Sequence, residues 1–260
     1  MADTSQLYDD VTNIQKHCGV LAVVFGLGAT VLTAYWANNS HISDGFLGGL
    51  NWKEHTFSWH PVLMVTGTML CLITALTSYR ILPFSKPMQK NIHGIMHTAA
   101  VICLSIGLAA IFLAHNDLSH SSSGTYSDNF TSVHTFVGMA VFVLYGLNYI
   151  AGLFHFALPN VDAASNRLAN AFLRTHVFLG SFILLLSLAA IETGLMLLTG
   201  SCGYNVSSSD TNPAQHYHLL SDGCQFANAI GIVVLLAVFL AFYSIFRFHS
   251  AAPHGAGVHK

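Results

Sequence analysis

The chain has 260 residues, 53% of them hydrophobic and only 8% charged, with a mean hydropathy of +0.56 and a formal net charge of −2. Soluble domains carry about 25% charged residues, so this composition excludes a water-soluble globule, and no basic tract offers itself to nucleic acid. The acidic, polar opening M-A-D-T-S-Q-L-Y-D-D is unlike the basic-then-apolar start of a cleaved signal peptide; the chain reads as an integral membrane protein.

A membrane-crossing helix needs about 20 apolar residues. Runs of that length are predicted near 19–37, 58–79, 92–114, 132–156, 172–199 and 225–247, separated by short polar spacers. The expected fold is therefore all-α: a polar segment 1–18, six transmembrane helices within 19–248, and a tail 249–260. Cytoplasmic loops collect Lys and Arg. With the N-terminus inside, Lys16, Arg80, Lys86, Lys90, Arg167, Arg174, Arg247 and Lys260 all lie on the cytoplasmic side, and only Lys53 lies opposite. Both termini are expected in the cytoplasm. The sequons at Asn38, Asn129 and Asn205 fall on the other side, as candidate glycosylation sites. Cys71 and Cys103 lie inside apolar runs, whereas Cys202 and Cys224 flank a polar loop and would pair in an oxidising compartment. No sorting signal chooses among plasma, secretory-vesicle and endolysosomal membranes.

Between the second and third runs stands a short basic turn, broken by Pro83 and Pro87, in which Arg80, Lys86 and Lys90 occur within eleven positions. His93 follows Lys90 by three residues, already inside the third run. The turn places a site for a small charged molecule beside a possible metal ligand.

Six histidines fall within the spans: His60, His93, His97, His134, His155 and His176. Ionisable side chains are costly in a bilayer and usually mark a cofactor, an ion path or a relay. At 1.5 Å of rise per residue, His60 and His134 lie just inside the outer face, and His93 and His176 just inside the inner face. Two pairs on four helices are what two six-coordinate haems require, one axial nitrogen on each side of each ring. His97 shares a helix face with His93, and H-x-x-x-H also matches zinc, but no Cys or carboxylate lies near at that depth; His93 is the better match to His176. His155 is expected at the interface, and Glu192, within the fifth span, has no evident role.

The string F-S-W-H-P-V-L-M-V-T-G, Phe57 to Gly67, with the order of four membrane histidines, resembles the cytochrome b561 family of ascorbate-dependent transmembrane oxidoreductases, which includes duodenal ferric reductases. The resemblance covers roughly 15–248. It implies two haem b per chain, an outer one on His60 and His134 and an inner one on His93 and His176, in a four-helix core of helices 2–5. It implies a cytoplasmic ascorbate site on Arg80, Lys86 and Lys90, with Lys90 or a nearby water taking the coupled proton. Arg167 is the candidate for a further family arginine, with Arg174 competing. Phe112, His115 and Asn116 match the family's outer site, and Ser132 matches a serine placed against a haem propionate. The family also implies a homodimer in the lipid membrane.

In places the chain departs from the family: F-T-S-V-H replaces the usual string before His134, the 115–134 loop is long and Ser-rich, and the Glu-Lys ending after the fifth span is absent. The expected function is electron transfer from cytosolic ascorbate to an outer acceptor, either monodehydroascorbate or a ferric chelate. Two other classes compete. A quinol-linked haem subunit would want a longer docking loop for its partner. A proton-coupled transporter using the histidines as a relay would want broken helices at the midplane.

Overall fold

The computed structural model describes residues 4–39, 49–117, 128–157, 167–199 and 222–246, and every regular element among them is helical. Helix α1 spans Thr4–Asn38. Helix α2 covers Thr56–Ile81, α3 Lys86–Asn116 and α4 Val133–Gly152. Helix α5 runs over Arg167–Thr199 and α6 over Asp222–Ile245. Each contains a stretch long and apolar enough to cross a membrane, giving six candidate spans as expected.

Three helices differ from the sequence expectation. Helix α1 begins at Thr4, well before the apolar run, because no Gly or Pro interrupts the chain until Gly19. Helix α5 likewise starts at Arg167 rather than near 172. Helix α2 widens to π geometry over Thr66–Leu72, a form often found at functional sites. Here Thr66 and Thr68 hydroxyls donate to the carbonyls of Val62 and Met64, at 2.6 and 2.7 Å.

The basic turn is built by its prolines. Leu82 is extended (φ −86°, ψ 129°), as a residue before proline prefers, so α2 stops there. Ser85 then opens α3, with Pro87 in the first turn where a missing N–H costs nothing.

Helix α1 lies along α6, α2 along α3, and α4 along α5, while α3 and α4 touch only sparsely. The bundle is thus two hairpins, α2/α3 and α4/α5, facing each other across a gap. Met69, Leu72, Ile73, Ile183, Leu184, Ile230 and Val234 form its buried interior. Large apolar side chains such as Val24, Phe178 and Phe239 point outward, the reverse of a soluble protein and the surface a lipid environment demands. Buried Gln15 ties down the end of α6, donating to the carbonyls of Tyr243 and Phe246 at 3.2 and 2.6 Å.

Candidate functional site

The gap between the hairpins is bridged by imidazoles. The rings of His60 on α2 and His134 on α4 have centroids 6.1 Å apart. Those of His93 on α3 and His176 on α5 are 6.4 Å apart. Each ring is steered from its own hairpin: His60 Nδ1 donates to the Gly107 carbonyl at 3.0 Å, His93 Nδ1 to Ala75 at 2.9 Å, and His134 Nδ1 to Ala190 at 2.8 Å. For His176 the corresponding neighbour is the backbone of Asn148, whose side-chain amide donates to the His176 carbonyl at 3.4 Å. A ring that donates through Nδ1 keeps a lone pair on Nε2, as a metal ligand must.

Glycines seat the rings. A Cβ on Gly194 would stand 2.8 Å from His134 Cε1, and one on Gly152 would stand 2.9 Å from His176 Cε1. Gly152 follows His134 by eighteen residues and Gly194 follows His176 by eighteen, which is five full turns at 3.6 residues each. The antiparallel pair α4/α5 therefore repeats one unit head to tail, a histidine at the start and a glycine seat for the partner's histidine at the end. Between α2 and α3, Gly67 and Gly107 allow the close approach that brings the Gly107 carbonyl to His60.

Both separations are those of two imidazoles on one metal, as a six-coordinate haem requires. Metal–imidazole bonds are about 2.0 Å and each ring nitrogen lies about 1.1 Å from its centroid, so two rings on one metal have centroids about 6 Å apart. Direct imidazole–imidazole packing would bring them closer, as the 4.4 Å between His93 and His97 shows.

His97 has a different job. Its Nδ1 shares a 2.6 Å hydrogen bond with the Tyr145 hydroxyl, and its buried Nε2 has no hydrogen-bond partner among the described residues. At the same end, His155 stacks on Phe172 with centroids 3.9 Å apart, and Phe172 lies 6.2 Å from the His176 ring. A ladder of rings thus runs from His155 through Phe172 to His176. Tyr79 lies 5.2 Å from His93, and Lys86 and Lys90 are exposed in the first five residues of α3, Lys90 three residues before His93. Arg174 is exposed on α5; the Arg167 side chain lies outside what is described.

At the opposite end, Phe112, His115 and Asn116 meet the start of α4. His115 Nδ1 bonds Asn129 Oδ1 at 3.1 Å, and Asn129 Nδ2 donates to Asn116 Oδ1 at 2.8 Å. Phe130 holds φ at 58°, a left-handed conformation costing a bulky residue about 1–2 kcal/mol. Its ring lies between Phe112 and Phe136, at 6.1 and 6.3 Å. Ser132 caps α4: its hydroxyl accepts from the Thr135 amide at 3.3 Å.

Comparison with known proteins decides the family. A sequence model of the eukaryotic cytochrome b561 family matches residues 59–199, from the start of α2's α-helical stretch to the end of α5. The chain belongs to the eukaryotic cytochrome b561 family. It is 30% identical over 222 residues to the lysosomal membrane ascorbate-dependent ferrireductase CYB561A3 of Danio rerio, covering 83% of this chain and 81% of that one. It is 30% identical over 172 residues to the transmembrane ascorbate ferrireductase 1 of Arabidopsis thaliana, covering 65% of each. Its identity to the plasma membrane ascorbate-dependent reductase CYBRD1 of Xenopus laevis is 29% over 221 residues, covering 84% and 70%.

Within this cytochrome b561 bundle the four histidines expected as ligands come together in the expected pairs, and His155 lies in a π-helical stretch, Leu153–Ala157, that continues α4. Sequence reading missed the parts that need a neighbouring helix to be known: the carbonyls of Ala75, Gly107 and Ala190, the two glycine seats, and Tyr145, Phe172 and Asn129. Glu192 packs its carboxyl against Gly231 of α6, with Oε1 buried and without a hydrogen-bond partner among the described residues. Cys18, Cys71 and Cys103 are free thiols; Cys202 and Asn205 lie outside the described residues.

Proposed function

We propose that this chain is an ascorbate-dependent transmembrane reductase, moving electrons from cytosolic ascorbate to an acceptor on the other side, a ferric chelate or monodehydroascorbate. The observation that carries this reading is the two imidazole pairs at the spacing of two rings on one metal, with Lys90 one helical turn from His93. The names of its relatives, which are ascorbate-dependent reductases and ferrireductases, support the donor and the class of acceptor.

His60 with His134, and His93 with His176, would each hold one haem b, giving two per chain. When bound, a haem with both axial positions filled supplies a one-electron iron couple with no vacant position for oxygen. The chain's own residues do the rest. Lys86, Lys90 and Arg80, with Arg167 or Arg174, hold the ascorbate mono-anion over its neutral acid by charge. A water bound to Lys90, three residues from His93, takes up the proton released as ascorbate is oxidised, since the charged lysine is itself a donor only. The apolar packing of α2–α5 keeps water out of the bundle between the two pairs.

Phe112, His115 and Asn116 meet the outer acceptor, and Ser132 stands beside a haem propionate. The positive-inside bias supports cytoplasmic termini, and with them glycans on Asn38 and Asn205 and a Cys202–Cys224 disulfide on the far side. The family resemblance supports a homodimer. The plasma membrane and the lysosome, both named among its relatives, are the candidate locations.

The deciding test is visible absorption of the detergent-purified protein, oxidised, then with ascorbate, then with dithionite, with haem counted per chain. Two b-type haems, largely reduced by ascorbate, are expected; a folded but colourless protein would overturn the reading.

A further inference from the structure

The sequon N-F-T at 129–131 marks Asn129 for a glycan, yet its side chain is turned onto the end of α3. The amide nitrogen a glycan would occupy donates to Asn116 Oδ1 at 2.8 Å, and the amide oxygen meets His115 Nδ1 at 3.1 Å. An amide oxygen only accepts, so the His115 ring nitrogen in this bond is the donor. The tautomer is thereby fixed, with hydrogen on Nδ1 and Nε2 left as the nitrogen available to a molecule arriving from outside.

The chain around Asn129 is arranged to deliver it. Phe130, in left-handed backbone, turns the strand immediately after Asn129 and anchors its ring between Phe112 of α3 and Phe136 of α4. Three residues past Asn129, Ser132 caps α4. Asn129 is therefore pinned from its C-terminal side, with its amide oxygen and one of its two amide N–H groups bonded to α3. The anchoring ring belongs to Phe112, so the strap closes over the same face that offers His115 and Asn116.

We infer that Asn129 is a positioning residue of the outer acceptor site, orienting His115 through its amide oxygen, and is not a glycan acceptor. The inference rests on the reading of His115 as part of that site. It extends the site from the end of α3 to a residue just before the start of α4.

The test uses full-length protein made in a glycosylating host and reconstituted into vesicles loaded with ascorbate, with ferric nitrilotriacetate outside. Thr131→Ala destroys the sequon and spares the amide; it should match the parent both in electrophoretic mobility before and after glycosidase and in rate. Asn129→Ala should lower the rate at limiting ferric chelate about tenfold, the cost of one lost hydrogen bond to the site, with ascorbate-reducible haem content unchanged. Asn129→Asp keeps the acceptor oxygen for His115 Nδ1 and should restore most of the rate, although it too lacks a sequon.

A mobility shift in Thr131→Ala, or equal losses in the Ala and Asp variants, would overturn the inference. His115→Ala separates the two levels. If it slows transfer while Asn129→Ala does not, the positioning role fails and the site stands; if His115→Ala is silent, the reading of the site fails and the inference goes with it.

Discussion

Gly194 of α5 lies so close to His134 of α4 that a Cβ there would stand 2.8 Å from the ring's Cε1. Real side-chain carbons do not come that near, so substitution forces the imidazole away from its carbonyl partner Ala190. Forcing a methyl into a packed interior costs about 1–3 kcal/mol. Gly194→Ala should therefore weaken retention of the haem on His60 and His134 by about ten- to a hundredfold, and Gly152→Ala should do the same at His93 and His176. Gly138 and Gly146, on α4 but with nothing within 4 Å of a Cβ, are the controls; their alanine variants should retain both haems. Haem per chain, with redox titration to show which haem is lost, reads the outcome, and equal losses in all four would point to general helix damage.

The ligand assignment makes a separate prediction. His60→Ala or His134→Ala leaves its partner facing an open gap, and should remove one haem while leaving the other reducible by ascorbate. His97→Ala should leave both, because that ring is held by Tyr145 and is not one of a pair at haem spacing. Absorption per protein falling by about half in the first two variants and not in the third is the expected pattern. Loss of the inner haem in His97→Ala would move the ligand assignment from His93.

These features were not equally legible in the sequence. Hydropathy gave the six spans because a bilayer imposes length and composition on each helix independently of its neighbours. Histidine depth paired His60 with His134 and His93 with His176, since position along a helix translates directly into height. The rest depends on which helix lies beside which. Nothing in L-Y-G-L-N-Y-I-A-G distinguishes Gly152, which seats His176, from Gly146, where a Cβ would touch nothing. The eighteen-residue spacing from His134 to Gly152, repeated from His176 to Gly194, was present in the sequence and could have been found. The π stretch of α2 had no comparable signal, and no periodic pattern around Asn129 tells that its side chain meets His115.

Tyr145 offers a test of how polar groups are kept inside this bundle. It is buried, and its hydroxyl shares a 2.6 Å hydrogen bond with His97. Removing that hydroxyl leaves His97 Nδ1 unpaired beside an Nε2 that already lacks a hydrogen-bond partner among the described residues. A buried group left unsatisfied costs about 1–3 kcal/mol. Tyr145→Phe should lower thermal stability measurably while keeping two haems per chain, whereas the double variant Tyr145→Phe with His97→Leu should recover much of the loss, because both partners are then apolar. No recovery in the double variant would mean that His97 is held by something other than this bond.

The lysines at the basic turn should act on ascorbate alone. Lys86 and Lys90 are exposed in the first five residues of α3, so replacing them disturbs little packing, and a hydrogen bond to a charged group contributes about 1.5–3 kcal/mol. Lys90→Ala should therefore raise the ascorbate concentration needed for half-maximal haem reduction by roughly ten- to a hundredfold. Lys86→Ala should have a smaller effect, because it lies a turn further from His93. Added salt should weaken the parent more than the variants, since it screens the charges they no longer have. Dithionite, which does not depend on the lysines, should reduce all of them equally. An ascorbate dependence unmoved by both substitutions would leave these cations as ordinary membrane-topology charges and send the search for the donor site to Arg174 on α5, two residues from His176.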